Sequence, residues 1–200
     1  QAEDVAGPRV ELAPLAEAAR AGAGSEGSGD VPSTAAEAPT AQTTGVKKVL
    51  VLRVDFSDVP GVVVSESTAS SVVGELASAF MDTNSYGLTS MVATVSPTVY
   101  RLPQTASAYA LANNTAGLHS DARTAASADF AVASFDRIIV AFPSIGTSRI
   151  PGSQITFGGL ATLGGTNVWI NGSGSFAFTT ISHELGHSYG LPHANLWKVT

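Results

Sequence analysis

The sequence predicts an α/β fold, and three observations carry that prediction. Lys47–Phe56 (KKVLVLRVDF) and Phe135–Phe142 (FDRIIVAF) are β-branched, apolar runs that read as central strands. Thr68–Met81 places apolar residues at helical spacing instead. The order along the chain, strand, helix, strand, helix, strand, strand, helix, implies strands and helices packed in layers.

Residues 1–45 stand apart from that pattern. They hold Ala, Gly, Glu, Pro, Ser and Thr with no aromatic residue, and seven acids against two arginines. Such a segment buries too little apolar surface to offset its ordering entropy. It reads as a disordered tail or a propeptide remnant, with a short helix possible at Glu11–Arg20. The folded domain is expected over residues 46–200. After the first strand, Ser57–Gly61 breaks the chain. The Thr68–Met81 helix puts Val72, Leu76, Ala79 and Phe80 on its apolar face. Ser85-Tyr86-Gly87 turns into two strands, Thr89–Val95 and Thr98–Leu102, separated by Pro97. A helix follows around Ser120–Phe130, with Ser120 as cap. After the 135–142 strand, Ser144–Thr166 is Gly/Ser/Thr-rich and reads as loop. Val168-Trp169-Ile170 is a short strand, and a last helix begins near Phe176.

Composition excludes several function classes. Of the net charge of −6, residues 46–200 hold only nine acids and eight bases. No basic patch exists to neutralise several phosphates, so nucleic-acid binding has no electrostatic basis. The absence of cysteine removes disulfides, thiolate nucleophiles and thiolate metal ligands. No apolar run reaches 18 residues, so no membrane span is expected. The chain opens on Gln rather than Met, as a processed start would, and a signal peptide could have preceded it.

The chemistry concentrates in His183-Glu184-Leu185-Gly186-His187-Ser188-Tyr189-Gly190-Leu191-Pro192-His193. Two histidines four apart lie one turn apart on one helix face, so both imidazoles can reach one ion. Gly190 can adopt the left-handed conformation that ends a helix, and Pro192 prevents its resumption. His193 is then free to return as a third ligand, leaving a fourth zinc position open. Glu184, beside the first ligand, is placed to accept a proton from the attacking water and pass it to a leaving amine. With average residue usage, these five fixed positions coincide by accident in on the order of one chain in 100,000 of this length.

HExxHxxGxxH, complete across His183–His193, is the signature of the metzincin metallopeptidases, and the chain resembles them. It is most similar to the gametolysin-like and immune-inhibitor-A-like secreted peptidases. Lys48–Asp58 (KVLVLRVDFSD) resembles their first strand. Asn84–Pro103 resembles the segment in which Ser-Tyr-Gly precedes a strand and a Tyr-x-Leu-Pro. The resemblance spans residues 46–197 and implies a zincin-like N-terminal subdomain, a twisted mixed sheet with an active-site helix. It further implies one catalytic Zn2+ on His183, His187 and His193, Glu184 as general base, and a secreted endopeptidase cleaving extracellular protein. Val168–Asn171 resembles the edge strand that pairs with extended substrate. Metzincins also carry a Met-containing turn beyond the third histidine, whereas Met81 and Met91 lie upstream. The chain is therefore expected to be the N-terminal part of a longer enzyme.

Other residues are weighed and set aside. His119 reads as a surface or cap residue, not a ligand. Asp55 and Asp58 could hold calcium, but a turn role fits better. Trp169 and Trp197 read as core or cleft-rim residues. Asn113 and Asn171 open glycosylation sequons. Peptide deformylases need a Cys ligand, and thermolysin-like enzymes take a distant Glu as third ligand, so neither fits. The rival from another class is a secreted zinc-containing binding or adhesion module without turnover.

Overall fold

The computed structural model describes residues 40–193. Residues 1–39 and 194–200 lie outside it, and with them most of the expected tail, the Glu11–Arg20 helix and Trp197. Thr40–Thr44 form a hydrogen-bonded turn leading into the first strand.

Five strands make one mixed sheet: β1 (Gly45–Asp55), β2 (Thr89–Arg101), β3 (Arg137–Phe142), β4 (Gly159–Ala161) and β5 (Asn167–Asn171). Their spatial order is β2-β1-β3-β5-β4, with every pairing parallel except β4 against β5. The helices are α1 (Glu66–Ser70), α2 (Ser78–Asn84), α3 (Ala106–Leu111), α4 (Thr115–Ala126) and α5 (Phe178–Ser188), with a π-helical run, Ser71–Ala77, joining α1 to α2.

Strand alternation feeds two cores. Leu50, Leu52, Val54, Ile138, Val140 and Phe142 pack on one face beneath α3 and α4. Val49, Val51, Ile139, Ala141, Val168 and Ile170 pack on the other, against Val73, Ala77 and Met81 and against Ile181 and Leu185 of α5. Each such aliphatic side chain contributes about 1.5–3 kcal/mol on burial, so α5 is anchored by its inner face and its outer face is left for chemistry.

Several expectations change. The helical face buried against the sheet is Ala69, Val73, Ala77 and Met81, whereas Leu76 and Phe80 are exposed. The spacing of four suits a helix widened by the π-helical run, a feature that an ideal 3.6-residue repeat does not anticipate. Pro97 does not divide β2. The strand lies at the sheet edge, and its register shifts opposite Val51 and Arg53. There the Arg53 N–H bonds to Ser96 Oγ at 3.0 Å, so no proline donor is required. The fourth helix starts at Thr115, capped by the Asn114 side chain on the Gly117 N–H, not by Ser120. His119 is no surface residue: it is buried in α4 against Trp169, with a bond to the Ile138 C=O. Asp55 and Asp58 are occupied structurally, the first by Arg101 and the Gly61 N–H, the second by the N-terminus of α3.

Candidate metal centre

The site begins with the last turn of α5. Tyr189 caps the helix and Gly190 follows at φ 93°. The Gly190 N–H reaches the His187 C=O at 2.8 Å, and the Leu191 N–H reaches the Gly186 C=O at 3.1 Å. This double closure is a Schellman turn, whose left-handed position favours glycine. Nothing lies within 4 Å of where a Gly190 Cβ would sit. Backbone conformation, not crowding, is therefore what calls for glycine there.

The turn returns His193 to the face of α5 that carries His183 and His187. The three Nε2 atoms stand 3.1 Å (His183–His187), 3.1 Å (His183–His193) and 3.0 Å (His187–His193) apart. Nitrogens bound tetrahedrally to zinc at 2.0–2.1 Å are separated by about 3.3–3.4 Å, so the triangle is close to the size the ion needs. Donor chemistry agrees. His187 Nδ1 lies 2.7 Å from the Leu191 C=O, a contact that only a protonated Nδ1 can make. That assignment leaves the His187 Nε2 lone pair facing the other two rings. These residues can hold a metal ion.

Glu184 is buried beside them, in the wall of a cleft of about 480 Å³. Burial pushes its carboxyl up from the usual range, an effect that His187 and His193 would partly offset in their cationic forms. Opposite it stands Gly159, where a Cβ would collide with Glu184 Oε1 and fall 2.7 Å from its Cγ. The Gly158-Gly159 pair signals a close approach in the sequence, but not what approaches.

The cleft's far wall is β4 with Leu163. Val168–Asn171 is not the edge strand: β5 lies between β3 and β4, and β4 forms the free edge. Gly158 and Thr162 bond inward to β5, through Asn171 N–H to Gly158 C=O and Thr162 N–H to Asn167 C=O. Antiparallel alternation therefore directs the N–H and C=O groups of Gly159 and Ala161 outward. Trp169 is core, its Nε1 donating to the Thr115 C=O at 2.9 Å. The two sequons differ, because Asn113 is exposed whereas the Asn171 side chain is buried between the Ile145 N–H and the Phe157 C=O.

No helix among the described residues is long and apolar enough to cross a membrane. No protein with a curated description matches the chain. Residues 50–199 match the family model of gametolysin peptidase M11. That match spans the sheet, the cleft and the histidine turn, and the chain belongs to this family of metallopeptidases, whose substrates are proteins.

Proposed function

We propose that the chain carries the catalytic centre of a secreted, zinc-dependent endopeptidase of the metzincin type that cleaves extracellular proteins. The observation that supports this most directly is the convergence of three Nε2 atoms to 3.0–3.1 Å beside a buried glutamate. His183, His187 and His193 would hold the ion. When bound, zinc supplies Lewis acidity, polarising a carbonyl and bringing the pKa of water to about 7.

The chain's own residues do the rest. Glu184 takes the proton from the attacking water and delivers it to the departing amine. Gly159 and Ala161 offer outward backbone groups to an extended peptide, so recognition is by strand addition on β4. Leu163 and Pro192 supply apolar walls to the same cleft. Secretion is proposed on the likeness to secreted peptidases, and the folded domain is taken to begin near residue 46, after an acidic tail or propeptide remnant.

Glu184→Gln tests the reading, since it keeps size and removes the proton acceptor. Casein or peptide cleavage by the zinc-loaded protein should fall by roughly 10²–10⁴-fold at unchanged zinc content. A binding or adhesion module would show no turnover to lose, and equal turnover in both proteins would end the case for Glu184.

A further inference from the structure

The last turn of α5 is gripped by a residue with no part in the chemistry above. Arg137, the first residue of β3, is 1% exposed. Its Nε donates to Ser188 Oγ at 2.9 Å, its Nη1 to the Asp136 C=O at 2.8 Å and its Nη2 to the Gln42 C=O at 3.1 Å. Its guanidinium carbon lies 4.9 Å from the centroid of the Tyr189 ring. Among the described residues no carboxylate pairs with it; the ion pair found there joins Arg101 to Asp55.

A buried cation is costly unless its surroundings compensate. Here the Asp136 and Gln42 carbonyls and the nearby Asp136 charge supply part of the compensation, and the end of α5 supplies the rest: the Ser188 hydroxyl, the π-face of Tyr189 and the negative end of the helix dipole. Ser188 Oγ passes the link on, donating to the Leu185 C=O at 2.7 Å. Both residues that Arg137 touches on α5 follow His187 directly. A filler of space would not need to be aimed so closely at that turn.

The contacts also close into a ring. The His187 C=O accepts from the Gly164 N–H at 2.9 Å, and the Gly164 C=O accepts from Gln42 Nε2 at 2.9 Å. The Gln42 C=O accepts from Arg137, and Arg137 returns to Ser188. One circuit thus joins the end of α5, the loop beside Leu163 and the turn that precedes β1.

We infer that Arg137 is a positioning residue of the metal centre, holding the last turn of α5 so that His187 meets His183 and His193. The inference rests on the ligand assignment proposed above. Its physical basis is the rigid guanidinium fork, which holds three acceptors and a ring face in one geometry, as a lysine ammonium cannot.

The experiment uses the full chain and its Arg137→Lys, Arg137→Met, Ser188→Ala and His187→Ala variants. Zinc affinity is read by competition with a chromophoric chelator, the Co2+ d–d spectrum by substitution, and the melting temperature on metal-free protein. Arg137→Met should weaken zinc binding about 10–100-fold, the range for outer-shell partners of metal ligands, and alter the Co2+ bands. Arg137→Lys should recover part of the affinity, and Ser188→Ala should weaken it less. A lowered melting temperature with unchanged zinc affinity and Co2+ bands would reduce Arg137 to a structural role and overturn the inference. If Arg137→Met does not fold, the Lys and Ser188 variants decide between the same two outcomes. Full zinc binding by His187→Ala would instead overturn the ligand assignment, so the two failures are distinguishable.

Discussion

Glu184 can lie in the cleft wall because Gly159 has no side chain. An added Cβ would collide with Oε1 and sit 2.8 Å from Cδ of Glu184, well inside contact distance, so Gly159→Ala must displace the carboxylate or the strand. Misplacing a catalytic group by about 1 Å can cost on the order of 10²-fold in rate. Gly159→Ala should therefore lose peptidase activity by about that factor while keeping its zinc, because the atoms nearest the added Cβ all belong to Glu184 and not to a histidine. Unaltered turnover would show that Glu184 works from another position. Gly190→Ala is the contrasting case: it meets no neighbour but forces alanine to φ 93°, at about 1–2 kcal/mol. Its loss should appear in stability and in zinc affinity, since the turn it strains carries His193. At this scale the clustering of the three histidines was legible because its logic is local. Two histidines a turn apart, a helix-ending glycine and a third histidine all lie within eleven residues. Gly159 and Arg137 were not legible, since their partners are 25 and 51 residues away and only the fold brings them together.

Among the elements, β4 is the one that the sequence hides. Gly159-Leu160-Ala161 has neither β-branching nor alternation, and its extended form comes from pairing with β5. A strand defined by tertiary pairing leaves no local signal, so the stretch looks like loop and the edge role falls to β5 instead. Long buried runs behave differently: β1 and β3 were readable because burial demands Val, Ile and Leu whichever elements cover them. The helix after β1 was readable as a helix but not in its face, because the π-helical run rotates which residues meet the sheet. The edge role of β4 can be measured. Ala161→Pro removes an outward N–H while leaving the inward bonds of Gly158 and Thr162 intact. One lost hydrogen bond is worth about 0.5–1.5 kcal/mol, so KM for extended peptides should rise about 2–10-fold with zinc affinity unchanged. An unchanged KM would remove β4 from substrate binding.

Across the described residues, the sheet separates the helix that carries His183 and His187 on one face from a buried histidine on the other. His119 in α4 is 2% exposed, packed on Trp169 and bonded to the Ile138 C=O at 3.2 Å. Burial, with Arg123 nearby adding to the effect, pulls its pKa from 6.5 down to about 4. The unfolded chain therefore binds a proton at His119 below about pH 6.5 that the folded chain refuses until about pH 4. Unfolding takes up a proton throughout that window, so stability falls as pH falls, by on the order of 3 kcal/mol over the full span. Asp55 adds a second loss at lower pH. Burial alone would raise its pKa, but Arg101 and the Gly61 N–H outweigh this and hold it down. Its contribution is present above the ordinary carboxylate range and disappears as pH drops through its lowered pKa. The two losses overlap at acid pH, so a single stability curve would mix these causes. His119→Phe separates them: it keeps an aromatic ring against Trp169, removes the titrating group and leaves the metal site on the opposite face untouched. Denaturant unfolding of both proteins from pH 7.5 to pH 4 should show the wild type losing about 3 kcal/mol more than the variant as the pH falls. Parallel curves would mean that His119 takes up its proton at the same pH in the fold as in the unfolded chain, in which case the α4 face of the sheet accepts a cation among its apolar side chains and the buried-neutral account of that core fails.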